Sequence, residues 1–237
     1  MKNILKDFWN SYKGIIKCVI AFLLFFTSSL IFDFLVFIFN IPVVEENIKL
    51  LYFIKLVSNF ILCGILFLLY RKDLISNFKE FKKKFGYYSD MSFKYWACGL
   101  IVMAASNFLI SALTPSRIAN NEEVIQSIFT VVPFITVAMT VLTAPFIEEI
   151  VFRKSLKDAI KNKWAYILTS GIIFGVMHVI GADTIYWYDY LYIIPYSALG
   201  IAFSKLCYDT DNIYPSIFAH FVHNFIISVG YLIRMVI

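Results

Sequence analysis

The stretch 145–153, PFIEEIVFR, sets two adjacent carboxylates and a guanidinium among apolar residues. Ionisable groups are costly in hydrocarbon, so those that persist there are candidates for chemistry or for structural pairing. Adjacent residues of an α-helix point about 100° apart, which gives Glu148 and Glu149 different surroundings. Glu149 and Arg153 stand at i,i+4 with the acid N-terminal, the favourable sense for a helical ion pair. Glu148 lies off that pair and is free to face a cavity, where a carboxylate can act as a general base toward water. The alternative is that both Glu are charges at a helix end near the cytoplasm.

All three histidines of the chain, His178, His220 and His223, fall in its last apolar stretches. Phe174 and His178 share a helical face at i,i+4, while Gly171 and Gly175 on an adjoining face allow a second helix to come close. A lone intramembrane His is also a common interhelical hydrogen-bonder. His220 and Asn224 lie about 40° apart on one face and form the better site pair, with His223 displaced toward packing or a supporting role. Depth constrains whether these groups can meet. If the Glu148 helix ended at Arg153, Glu148 would lie only about 8 Å inside and His178 about 21 Å. If the helix continues through 154–160, Glu148 comes to about 18 Å, His178 to about 21 Å and His220 to about 12 Å, and convergence becomes feasible. An extension past Arg153 is therefore expected.

The elements that must position these groups are membrane spans. Of the 237 residues, 60% are hydrophobic and 16% charged, against roughly 45–50% and about 25% in soluble domains. Mean hydropathy is +0.76. Apolar runs near 14–40, 50–70, 93–114, 126–152, 164–181, 185–206 and 212–236 approach the roughly 20 residues that cross a bilayer. The expected fold is an all-α polytopic bundle of about seven spans, six to eight. Residues 1–92 are expected to hold the first spans and a basic segment and 93–237 to form the core membrane domain, the two as one structural unit. An N-in orientation places 17 of the 21 basic residues in inner segments, as the positive-inside rule prefers. Only Lys49, Arg117 and Arg234 fall in outer segments, with Lys55 inside a span. Asp33 and Lys55 reach similar depths on neighbouring spans and are expected to form an ion pair. The stretch Arg71–Lys84 intersperses apolar residues among its cations. It reads either as a helix lying on anionic headgroups or as a solvated topology determinant. Cys18, Cys63, Cys98 and Cys207 have no metal or disulfide spacing. No basic recognition motif points to nucleic acid.

The motifs as a set resemble the CPBP family, the CAAX-protease and bacteriocin-processing (Abi) intramembrane endopeptidases. EExxxR is matched by Glu148, Glu149 and Arg153, FxxxH by Phe174 and His178, and HxxxN by His220 and Asn224, all within 141–226. The resemblance implies a helical bundle with a cavity opening toward the cytoplasm, in the membrane of a bacterial cell, acting on a membrane-associated peptide. It makes Glu148 the residue that activates water, with help from His178. His220 and Asn224 would stabilise the oxyanion, and Glu149 and Arg153 would support them. That mechanism needs no cofactor. A zinc-dependent version is open as well, since Glu148, His178 and His220 would supply three ligands and leave a position for water, although HExxH is absent. A bacteriocin, a signalling-peptide precursor or a lipidated peptide would each suit as substrate. The rival readings are a non-proteolytic immunity protein on the same scaffold and a small proton-coupled carrier. The carrier should show two similar halves with broken helices, and the sequence shows none. Oligomeric state is left open.

Overall fold

The structure, a computed structural model, describes residues 2–114, 118–180 and 186–236; Arg117, one of the outer cations, lies outside them. Among the described residues there are helices and turns but no strand. The helices are α1 (Lys2–Phe26), α2 (Ser29–Ile38), α3 (Ile48–Lys83), α4 (Phe85–Leu113), α5 (Asn120–Val131), α6 (Pro133–Ala159), α7 (Lys163–Met177), α8 (Ile193–Thr210) and α9 (Tyr214–Val236). Short 3₁₀ turns, Glu45–Asn47 and Trp187–Tyr192, precede α3 and α8. Local chemistry sets several boundaries. Pro133 opens α6 at a position where its missing N–H costs nothing. Asn162 caps α7 by accepting from the Ala165 N–H at 2.9 Å. Asp211 closes α8 in the left-handed region at φ 48°. Between α1 and α2 the Thr27 hydroxyl donates back to the Leu23 carbonyl at 2.7 Å, and the two helices meet at a 50° bend.

Five helices are long and apolar enough to cross a membrane, and the bent α1–α2 pair makes a sixth. The run at 164–181 behaves differently. It holds α7, whose 15 residues span about 22 Å, less than the hydrocarbon core. Its last turn closes on His178, short of the length of its neighbours. Large side chains such as Phe37, Leu113 and Phe134 are about four-fifths exposed, as lipid-facing residues should be.

α6 is the central element. Its Ile147, Ile150, Val151 and Phe152 are buried against Ala21 of α1, Leu62, Leu66, Tyr70 and Leu74 of α3, and Phe174 of α7. As the depth argument required, α6 runs past Arg153, to Ala159. α7 and α8 pack with almost no side chain between them. A Cβ on Gly171 would lie 2.9 Å from the Ile201 Cα, and one on Gly200 would lie 3.0 Å from the Gly171 Cα. Two expectations need correction. Asp33 and Lys55 form no ion pair; they are near enough to interact electrostatically, and the Lys55 ammonium sits 6.0 Å over the Phe32 ring. The basic stretch from Arg71 continues α3 to Lys83 and is not a separate helix. Its Leu74 and Phe81 are buried in the protein and Phe78 packs on Tyr214, because α9 begins alongside and offers a better partner than headgroups.

Candidate active site

The site begins with two stretches of α6 that depart from regular α geometry. Ala138–Thr143 and Glu149–Ser155 are π-helical, the kind of widening that frees backbone groups and recurs at functional sites. In the first stretch the Ala144 N–H bonds to Met139 O, and the next residue, Pro145, has no N–H to give. Thr140 O is left for a donor from outside, and the Asn224 side-chain amide of α9 donates to it at 2.8 Å. In the second stretch Phe152 O accepts from Ser170 Oγ of α7 at 2.6 Å, and Ser170 is in turn 2.6 Å from Ser204 of α8. The helices are thereby stitched together around the two carboxylates.

Glu149 and Arg153 are fully buried and pair at 3.2 Å, as their spacing predicted. The guanidinium also lies 4.1 Å from the centroid of Phe174, a cation–π contact, with Phe203 at 5.9 Å. Glu149 makes a second contact, Oε1 to His220 Nδ1 at 2.8 Å. With Arg153 beside it, Glu149 is a carboxylate, so His220 Nδ1 is the donor and its Nε2 is the free nitrogen. His178 is fixed in the same sense. Its Nδ1 donates to Phe174 O at 2.8 Å, and its ring is held between Phe174 and Tyr196 at centroid distances of 4.2 and 4.7 Å. Glu148 Oε2 then stands 3.8 Å from the Nε2 of both His178 and His220. That oxygen is buried and has no hydrogen-bond partner. All three groups line a cavity of about 160 Å³, together with Asn224 and His223. Phe174 explains its own place in the pattern: one ring touches Arg153, His178 and His220.

Residues 130–226 match the family described as type II CAAX prenyl endopeptidase Rce1-like. The resemblance to the CPBP family holds. Over 111 residues, 46% of the chain, the sequence is 30% identical to "Putative membrane peptidase YdiL" of Bacillus subtilis (strain 168), and the match spans 41% of that relative's length. No solved structure matches significantly. The Rce1-like region begins just before Pro133 and closes just after Asn224, so it contains α6, α7, α8 and the first half of α9. Every side chain placed around the cavity by the three motifs comes from it.

Other groups at or beside the cavity belong to no motif. Trp96 of α4 donates its indole N–H to His223 Nδ1 at 3.2 Å. Asn121 and Glu122 of α5 and Tyr196 of α8 line the same cavity. Burial raises the Glu122 carboxyl above the usual carboxylate range. No motif marks Glu122, whose place at the cavity depends on α5 lying against it. Among the described residues no three His, Cys, Asp or Glu side chains are arranged to hold a metal ion. In their neutral rings both Nε2 atoms, each 3.8 Å from Glu148 Oε2, carry the lone pair that a metal would use.

Proposed function

We propose that this chain is an intramembrane endopeptidase that hydrolyses a peptide bond in a membrane-associated peptide through water activated by Glu148. One observation carries the reading: a buried carboxylate oxygen without a hydrogen-bond partner faces two histidine Nε2 atoms in a small cavity. The names of its matches, a prenyl endopeptidase family and a membrane peptidase, point the same way. Water bound beside Glu148 donates one proton to the carboxylate and its other hydrogen to His178 Nε2, which orients it. The oxygen attacks the scissile carbonyl. His220 rests its Nδ1–H on the Glu149 carboxylate, and in its doubly protonated form it presents Nε2–H to the developing oxyanion. Asn224 has one amide proton on Thr140 O and a second for the same oxyanion. The proton held by Glu148 passes to the leaving amine as the C–N bond breaks. A short hydrophobic or lipid-modified peptide suits a cavity sealed on its flanks by membrane helices, and a bacterial plasma membrane suits the match to a Bacillus protein.

The test is cleavage of a fluorogenic hydrophobic peptide and of its prenylated-cysteine counterpart by purified protein in liposomes, with Glu148→Ala and His220→Ala, each with and without chelator. Cleavage should fall by about 10²-fold or more in both variants and survive chelation. Cleavage by Glu148→Ala at the wild-type rate would remove Glu148 from the mechanism, whereas no cleavage by the unsubstituted protein, with an immunity phenotype that Glu148→Ala keeps, would favour the non-proteolytic role. Loss on chelation with recovery on adding zinc would move Glu148 and the histidines into a metal site.

A further inference from the structure

A large cavity that shares no lining residue with the Glu148 cavity lies at the basic end of the bundle. It has a volume of about 790 Å³ and sits between the start of α1, the middle of α3 and the end of α6. Six cations line it: Lys13, Lys17, Arg71, Lys72, Lys154 and Lys161. Its two carboxylates, Asp73 and Asp158, are both already engaged by the Lys154 ammonium, at 3.0 and 2.8 Å. Lys17 faces only the Tyr70 ring, 5.0 Å from its centroid. Among the described residues Lys13, Lys17, Arg71 and Lys72 pair with no carboxylate. Like charges so placed repel one another, and Lys13 and Lys17 do so across one turn of α1. The walls cannot simply spread apart. A Cβ on Gly14 would lie 2.9 Å from the Asp158 carbonyl carbon, so α1 is seated directly on α6 between those two lysines.

From this geometry we infer that the cavity binds the phosphate headgroup of an anionic lipid. A guanidinium fork and several ammonium groups are the donors that phosphate takes. Basic pockets between transmembrane helices at a membrane face hold such headgroups. The rim decides between a lipid and a free phosphate. Leu68 is 66% exposed and Ile15 49% exposed at the edge of the cavity, which offers acyl chains a path beside the bound phosphate.

Native mass spectrometry of the purified chain would measure retention of phosphatidylglycerol, and unfolding in nanodiscs with and without that lipid would measure its effect on stability. The variant Lys13→Gln/Lys17→Gln/Arg71→Gln/Lys72→Gln should lose the retained lipid, at about fivefold in affinity per cation removed, and lose the rise in unfolding temperature. A control at exposed cations elsewhere, Lys79→Gln/Lys82→Gln/Lys83→Gln/Lys94→Gln, should keep both. Equal losses in the two variants would overturn the inference in favour of diffuse surface attraction. So would an unfolding shift reproduced by inorganic phosphate in neutral lipid. Should the fourfold variant not fold, Lys13→Gln/Arg71→Gln carries the same comparison, and unchanged lipid retention in it would overturn the inference.

Discussion

Glu148 and Glu149 are neighbours in the chain with opposite surroundings, so the same substitution should do different things to each. Glu149→Gln leaves Arg153 buried without its counter-charge and takes from His220 the carboxylate that orients it. Breaking a buried pair in that way costs about 3–5 kcal/mol. Glu148 Oε2 makes no hydrogen bond that folding depends on. Glu148→Gln should therefore keep or slightly raise the unfolding midpoint in detergent while cleavage falls by about 10²–10⁴-fold. Equal destabilisation by the two variants would show that Glu148 is structural. The pairing of Glu149 with Arg153 was legible in the sequence because i,i+4 is a local relation that survives any packing. The bond from Asn224 to Thr140 was not, because it depends on a carbonyl that only an irregular helix leaves unpaired.

That irregularity belongs to α6 as an element, and Pro145 is its sequence cause. At position 145 an N–H would complete the wide turn by bonding Thr140 O, which now accepts from Asn224. Pro145→Ala supplies that N–H. It should stabilise the helix locally and weaken the hold on Asn224. The expected result is a folded protein whose cleavage falls several-fold, with kcat affected more than KM, since Asn224 serves the oxyanion. If Pro145→Ala cleaves at the wild-type rate, the widened turn does not matter to the site. The close seating of α7 on α8 was readable from Gly171 and Gly175. The end of α7 was not: the apolar run continues past His178, and composition cannot show where a helix stops inside an apolar segment. Yet that early end sets His178 at the cavity, opposite Glu148.

At the scale of the whole molecule two expectations from the sequence collide. The cavity is lined by α5, by the later half of α4, by the middle of α6 and of α9 and by the residues where α7 ends and α8 begins. It reaches from the middle of the bundle toward the end at which α7 stops. The cationic ends of α3, α6 and α8, with the start of α1, lie at the opposite end. Positive-inside placement then turns the cavity toward the outer face, whereas the family resemblance implies a cavity opening to the cytoplasm. The count of cations is the stronger argument, because some 17 of 21 would otherwise have to be moved across the membrane. Exposed positions at the two ends separate the alternatives. Glu123→Cys on α5 should react with a membrane-impermeant maleimide in intact cells, and Lys82→Cys should react only after permeabilisation, with the unsubstituted chain as baseline. That result would make the substrate a peptide that has left the cytoplasm or lies in the outer leaflet. The reverse pattern would invert the chain, set its cationic end outside and return the cavity to the cytoplasmic half, where a prenylated or unexported peptide could reach Glu148.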